Sequence, residues 1–318
     1  MKKISVIIPA HNEENEIPKT LNCVLEQGYE NIEIIVSNDG STDKTEEIVQ
    51  EFMKKDKRIM IISSPTGHSG AYARNKGATI ATGKILVFLD SDARIGDGFL
   101  KKVAEGFEKF DVQAVTHPKK DTYANFLSKT VALMARNSKK LADKLGKIVL
   151  TEINEFNLFI FEKKAFEEVG GYDDKVLYYD DTDITRRFYA KGYKALLEPE
   201  IMLYSAQPED LGEFYRRYKW SGEGIAAMKD KKERLRETAY LSLKFLFILA
   251  PIIVLFFNWF VGLILLIGFA IITVIFNFKT NKNFIWSILM TPITYLKNII
   301  EFGSMIWHYF FPRKNTRD

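Results

Sequence analysis

Between Phe245 and Phe278 the chain carries no charged side chain, and no other feature constrains its folding as strongly. As one straight helix at 1.5 Å per residue the stretch would be roughly 50 Å long, against a hydrocarbon core of about 30 Å. Two shorter spans fit better, with a turn at "FNWF" (257–260), where Asn258 is polar and Trp259 suits an interface. Lys229, Lys231, Lys232, Arg234, Arg236 and Lys244 precede the stretch, and Lys279 and Lys282 follow it. The positive-inside rule then predicts both ends in the cytoplasm and the tip outside. A hairpin buried in a protein core is the alternative.

The rest of the composition excludes little. A net charge of +4 on 318 residues is too mild to argue for nucleic acid, and none is expected as a partner. The apolar run in "MKKISVIIPAHNEE" is too short for a signal peptide and ends in charges. With Cys23 alone no intrachain disulfide can form; in an amphipathic helical pattern it reads as a buried, inert thiol.

Residues 1–200 alternate strand and helix. "ISVIIPA" (4–10), "IEIIVSND" (32–39), "IMIISS" (59–64) and "KILVFLD" (84–90) read as buried strands, with helical patterns near 16–27, 43–55 and 70–82. Continuous Val/Ile runs joined by helical crossovers imply a parallel sheet covered on both faces. Ligands bind such sheets beyond the carboxyl ends of the strands. Three of those ends carry acids: "PAHNEE" (9–14), "NDGSTD" (38–43) and "DSDA" (90–93). In the second, Asn-Asp-Gly makes a turn and Ser41 or Thr42 is expected to cap the next helix, which leaves Asp39 unexplained. Two aspartates one residue apart, Asp90 and Asp92, can share a divalent cation such as Mg²⁺ or Mn²⁺. A phosphatase nucleophile motif is not expected, because here the pair follows the fourth strand and continues "AR".

"SVIIPAHNEE", "IEIIVSNDGSTDKT", "ARNKGATIATGKILVFLDSDA" and "GGYDD…YYDDTDITRRFYAKGYK" occur in order. Together they resemble the family 2 glycosyltransferases, inverting enzymes of the GT-A fold that use nucleotide sugars, over roughly residues 3–225. The resemblance implies an α/β fold: a GT-A-type nucleotide-sugar-binding domain with a mainly parallel sheet, followed by transmembrane and interfacial helices. It also implies roles. Pro9, Ala10, His11 and Glu13 would line the nucleoside pocket, and Asp39 would meet the nucleobase, in this family most often uracil. Arg74 would approach the ribose or phosphates; on position alone it reads as a solvated helix charge. Asp90 would sit near ribose and metal, and Asp92 would ligate a Mn²⁺ or Mg²⁺ ion.

"YYDDTDITRRFYAKGYK" (178–194) opens with acids and turns helical. Asp180 or Asp181 can cap that helix, and Asp183 can pair with Arg187 four residues on. The two consecutive acids cannot both cap. The family usually has Glu-Asp here, the second acid being the general base; Asp181 keeps that place and Asp180 shortens its neighbour on the acceptor side. Further on, "EFYRRYKWSGEG" (213–224) stands where processive synthases carry Gln-x-x-Arg-Trp, and only Trp220 remains of that pattern. Trp220 can stack on an acceptor sugar, or it can anchor an interfacial helix with Phe214, Tyr215 and Tyr218. Ser205 stands where many relatives have a histidine near the metal. His11, His68, His117 and His308 show no ligand spacing among themselves.

Residues 284–314 are apolar but interrupted by Pro292, Lys297 and Glu301, which suggests interfacial helices first and a third span second. The expected organisation is a catalytic domain over 1–225, a basic juxtamembrane segment over 226–244, the hairpin over 245–278, and interfacial helices with a basic tail over 279–318. The expected function is transfer from a UDP-linked sugar to a lipid-linked or glycan acceptor by a multi-pass membrane enzyme with a cytoplasmic active site. A processive polysaccharide synthase acting as an oligomer and a catalytically silent nucleotide-sugar-binding protein are the alternatives.

Overall fold

The computed structural model describes residues 2–134, 138–152, 158–176, 178–228, 231–281 and 283–312. Lys229, Lys282 and the basic tail from 313 onward lie outside the described residues. The chain forms two compact units, one of residues 2–121 and 138–206, the other of 122–134 and 207–312.

The first unit holds the strands β1 (Ile4–Ala10), β2 (Ile32–Asp39), β3 (Ile59–Ser64), β4 (Ile85–Phe88), β5 (Arg94–Ile95), β6 (Ala114–Thr116), β7 (Lys119–Thr122, whose last residue enters the second unit), β8 (Ile148–Leu150), β9 (Ile160–Glu162), β10 (Ala195–Leu197) and β11 (Leu203–Ala206). Its helices are α1 (Ile17–Leu25), α2 (Thr45–Lys55), α3 (Gly70–Ile80) and α4 (Phe99–Lys109). The second unit contributes α5 (Phe126–Met134) before the first resumes with α6 (Ser138–Leu145), α7 (Lys163–Glu168) and α8 (Asp180–Ala190).

The main sheet runs β3-β2-β1-β4-β9-β6-β10-β8. Pairs β3–β2, β2–β1, β1–β4 and β6–β10 are parallel, while β9 against β4 and β6, and β8 against β10, are antiparallel. Alternate residues of the central strands feed two separate cores, as the pleat requires. Val6, Ile8, Val36 and Val87 pack on one face, and Ile7, Ile35, Leu86 and Phe88 on the other. The parallel ends of β1, β2 and β4 therefore lie side by side. The fourth strand is shorter than expected: Leu89 still donates its N–H to the Ile7 carbonyl (3.0 Å), but Ala93 N–H donates back to the Asp90 carbonyl (3.0 Å) and closes a turn. Asp90 and Asp92 thus project from a tight turn rather than from a strand.

The second unit continues with α9 (Leu211–Ala227), α10 (Lys231–Phe257), α11 (Trp259–Asn281) and α12 (Phe284–Phe310). Residues 234–257 and 259–279 are each long and apolar enough to cross a membrane. Asn258 is the break between them, and its side-chain carbonyl accepts from Val261 N–H at 3.1 Å to start α11. Pro292 does not interrupt the last helix, which runs unbroken through Lys297 and Glu301. Its neighbour α9 packs hard against it: a Cβ on Gly222 would fall 2.1 Å from the Glu301 carbonyl oxygen, so only glycine permits the contact.

Candidate active site

A cleft of about 270 Å³ opens where β1, β2 and β4 end, lined by Pro9, Ala10, His11, Glu13, Asp39, Asp90 and Asp92, with Ser69 and Gly70 of the α3 N-terminus. Seven residues selected from three sequence segments thus share one cavity.

The walls are tied together by loop-to-loop hydrogen bonds. His11 Nδ1 donates to the Asp39 carbonyl at 2.8 Å. Asn12, held at φ 58°, donates its N–H to Ser41 Oγ (3.0 Å) and accepts from Thr42 N–H at its side-chain oxygen (2.8 Å). Ser41 and Thr42 therefore bridge to the first loop and do not cap α2, whose Thr45 N–H is taken instead by Asp43 at 3.0 Å. Gly40 sits at φ 70° with the backbone of Thr66 and Gly67 closer than 3 Å to where a Cβ would be, so both conformation and space demand glycine. Asp39 itself is buried, and both its oxygens are engaged by His68: Oδ2 by the backbone N–H (2.7 Å) and Oδ1 by the ring Nδ1 (3.0 Å). The His68 ring stacks on Tyr72, centroids 4.1 Å apart. Sequence reasoning missed His68 and Asn12, because their partners lie about thirty positions away.

Charge is unevenly matched in the cleft. Burial raises the Glu13 carboxyl, a hydrogen bond with Ser91 opposes this, and the nearby Asp92, Glu16 and Asp43 charges raise it further. Asp92 is likewise raised, by burial first and then by Asp90, with Arg94 only partly compensating. Asp90 goes the other way. Burial disfavours its charge, but 44% of the side chain stays exposed, and the Arg74 and Lys119 cations hold the carboxyl below the usual range.

Arg74 is not a solvated helix charge. Its side chain is 13% exposed, and it reaches Asp90 Oδ1 with one terminal nitrogen (2.8 Å) and Asp180 Oδ2 with the other (2.7 Å). The guanidinium carbon lies 5.4 Å from the centroid of the buried Tyr172 ring. Through Arg74 the cleft is joined to the first turn of α8. Asp180 is raised by burial, lowered by Arg74, and raised again by Asp181 and Asp90. Neither Asp180 nor Asp181 caps the helix: the N-cap position is Tyr179, at φ 57°, and the two acids occupy the first turn, where the helix dipole favours them. Asp181 Oδ1 accepts from Thr182 N–H at 2.8 Å. The expected Asp183–Arg187 pair is present at 2.8 Å, and Arg187 also donates to the carbonyls of Val169 and Gly171. Trp220 belongs to the second unit, on α9, with 44% of its surface exposed.

The described residues contain no cluster of three or more His, Cys, Asp or Glu side chains arranged to hold a metal ion. The oxygen donors of the cleft nevertheless suit a hard divalent cation. Glu13 and Asp92 repel each other across it, and Mg²⁺ or Mn²⁺ needs few protein ligands when substrate phosphates and water complete its shell.

A mainly parallel sheet with an acid-lined cleft at the ends of its first, second and fourth strands is the GT-A type of nucleotide-sugar-binding fold. A mannosyltransferase from Pyrobaculum calidifontis, PcManGT in complex with GDP-Man and Mn²⁺, shares the architecture over 98% of this chain and 88% of its own, at 19% identity and a TM-score of 0.59. S. aureus TarS 1-349 in complex with UDP-GlcNAc does so over 73% of this chain and 69% of its own, at 17% identity and a TM-score of 0.52. Residues 5–170 match the model of glycosyl transferase family 2, and the chain belongs to that family. Among curated relatives it is 30% identical over 237 residues to a probable glycosyltransferase, YdaM, of Bacillus subtilis (strain 168), covering 70% of this chain and 55% of the relative. It is 28% identical over 227 residues to a poly-beta-1,6-N-acetyl-D-glucosamine synthase of Staphylococcus epidermidis, covering 70% and 54%. The chain thus spans about half the length of these relatives.

Proposed function

We propose that this glycosyltransferase is a membrane-anchored, inverting enzyme that moves a sugar from a UDP-linked donor to a lipid-linked or glycan acceptor at the cytoplasmic face. The observation that carries the reading is the Arg74 bridge, which joins the acid-lined cleft to Asp180 in the first turn of α8. In this reading Pro9, Ala10, His11 and Glu13 line the nucleoside pocket, and Asp39, fixed by His68, faces the base. The first turn of α3 offers N–H groups and a positive dipole end to a diphosphate. Asp92 would hold a Mn²⁺ or Mg²⁺ ion, with Asp90 kept beside it by Arg74. When bound, such an ion neutralises charge on a departing diphosphate.

Asp181 removes the proton from the acceptor hydroxyl as it attacks the anomeric carbon from the face opposite the nucleotide. One displacement inverts that centre, and no covalent enzyme intermediate forms. Arg74 engages Asp180 in an ion pair at 2.7 Å, which leaves Asp181 as the base in this reading. Trp220 remains either an acceptor platform or an interfacial anchor. Membrane placement of α10 and α11 is supported by their exposed apolar surface, with Phe256 at 87% and Phe257 at 82% exposure; a contiguous patch of that kind is costly in water. A processive synthase working as an oligomer is the second reading, favoured by the likeness to the S. epidermidis synthase and opposed by the altered Gln-x-x-Arg-Trp segment.

The test is a screen of nucleotide-diphosphate sugars with membranes carrying the full chain, reading nucleotide diphosphate release. Turnover of a UDP-sugar that needs Mn²⁺ or Mg²⁺ is expected. Full activity in EDTA would remove the metal, silence with every donor would remove the enzyme, and long products would favour the processive reading.

A further inference from the structure

The segment "GGYDD" (170–174) stands before α8, and no step of the proposed reaction uses it. Its backbone is gripped from two helices. From α3, Asn75 donates its side-chain amide to the Tyr172 carbonyl (2.7 Å) and accepts the Tyr172 N–H at its side-chain oxygen (2.9 Å). From α8, Arg187 donates to the carbonyls of Val169 (2.6 Å) and Gly171 (2.7 Å). The Tyr172 side chain is held as firmly. It is 2% exposed; its ring meets Phe88 edge to face with centroids 5.2 Å apart, and Phe166 lies at 5.8 Å. Hydrogen bonds on both sides of its peptide and rings against its own leave the phenol ring little freedom.

What the fixed ring faces is Arg74, the residue before Asn75. The guanidinium carbon lies 5.4 Å from the ring centroid, within the range of a cation–π contact. The Tyr172 hydroxyl is buried and has no hydrogen-bond partner among the described residues, so the ring and not the hydroxyl is what this side chain contributes. Arg74 needs such a support. Asp90 and Asp180 come from separate segments, and each takes a different terminal nitrogen of one guanidinium. Ordering so long a side chain costs rotamer freedom, and either carboxylate alone could draw the cation to its own side. A flat ring against the guanidinium fixes the plane of the fork, so that both acids are reached at once.

We propose that Tyr172 is a positioning residue for sugar transfer: its ring, locked by Asn75, holds the Arg74 guanidinium across Asp90 and Asp180. The cleft is thereby kept in register with the first turn of α8. This role rests on the donor reading of the cleft and adds a residue that acts only through Arg74.

The experiment is calorimetric titration of UDP and of GDP, each with Mn²⁺, into the full chain in detergent micelles. Tyr172→Leu should weaken nucleotide binding about tenfold with the stoichiometry kept, since a desolvated cation–π contact is worth about that much. A residue that merely supports the fold gives the opposite pattern, fewer competent molecules with an unchanged Kd. Tyr172→Phe keeps the ring and should recover most of the affinity. In an Arg74→Met background, Tyr172→Leu should cost less than about twofold more, because the two act as a unit. Asn75→Ala, on a helix where alanine is favourable, guards against a Tyr172→Leu chain that does not fold, and it should weaken binding several-fold. Unchanged Kd in both Tyr172→Leu and Asn75→Ala would overturn the role, as would additive losses in the double variant or a Tyr172→Phe as weak as Tyr172→Leu. A wild-type chain that binds neither nucleotide overturns the donor cleft and this role with it, whereas a wild type that binds and variants that bind equally well overturn the role alone.

Discussion

Arg74 ties together two carboxylates assigned to opposite sides of the proposed reaction, and both are otherwise pushed toward neutrality by burial. Arg74→Met would leave Asp180 without this 2.7 Å partner and Asp90 with Lys119 as its remaining cation; because Asp90 is partly exposed, a loss of about 1–3 kcal/mol is expected. A lower thermal midpoint and a rise in donor KM are expected. Arg74→Lys should recover only part of each, because an ammonium cannot span two carboxylates as a planar guanidinium does. Unchanged donor KM in both variants would refute the bridge. The neighbouring acids can be told apart in the same way. Asp181→Asn should lower kcat by roughly 10²–10⁴ with donor affinity kept, the usual consequence of removing a general base. Asp183→Asn releases Arg187 from one partner and should lower stability more than rate. An exchange of these behaviours would move the base to Asp183.

At the scale of elements, the first three strands were legible because each is rich in Val and Ile before a Pro or Ser, even though Ser5, Glu33 and Met60 interrupt the runs. Strands such as β5, β8 and β10 were not, since two or three residues carry no periodicity and pairing alone defines them. The acids at the strand ends could be read from topology, but the Arg74 bridge could not. Its partners lie 16 and 106 positions away, and no local pattern records such a contact. The same holds for Glu33, an acid inside a central strand that local reasoning passes over. It accepts from Ser5 Oγ (2.5 Å), Thr82 N–H (2.5 Å) and Gly83 N–H (3.1 Å) and pairs with Lys3, so that one carboxylate joins β1, β2 and the turn before β4. Burial alone would raise it, but these hydrogen bonds outweigh burial and hold the carboxyl at about 2. Glu33→Gln keeps the shape and loses the charge; a loss of about 1.5–3 kcal/mol is expected for contacts of this type. Thermal unfolding would show it, and an unchanged midpoint would mean that the amide substitutes fully.

For the whole molecule the same groups set the response to acid. His117 is buried against Phe99, and burial pushes its imidazole down to about 4, a hydrogen bond to the Pro118 carbonyl opposing and Lys119 adding to the shift. An unfolded chain takes up that proton near 6.5, so between about 6.5 and 4 the unfolded state binds more protons and stability falls with pH, by up to about 3 kcal/mol. Glu33 adds a second loss as pH drops from about 4.5 toward 2. Denaturation midpoints recorded across this range should show His117→Phe removing the upper step and Glu33→Gln the lower. The proposed orientation has its own check. A cysteine at Asn258, between the two apolar helices, should react with an impermeant thiol reagent only from the extracytoplasmic side, and labelling from the cytoplasm would invert the topology.

The division of the chain has a consequence in time. Helix α5 emerges from the ribosome between two parts of the first unit, yet Val131 and Leu127 pack with Phe214, Tyr218, Ile293 and Ile300. At about 5–20 residues per second, the last of these partners is made roughly 8–35 s after Val131. For that interval a short apolar helix waits for its later partners in the same unit. A variant that slows synthesis beyond residue 134 lengthens the wait, and α5 is the place where such a chain would first be caught by a chaperone or a neighbour.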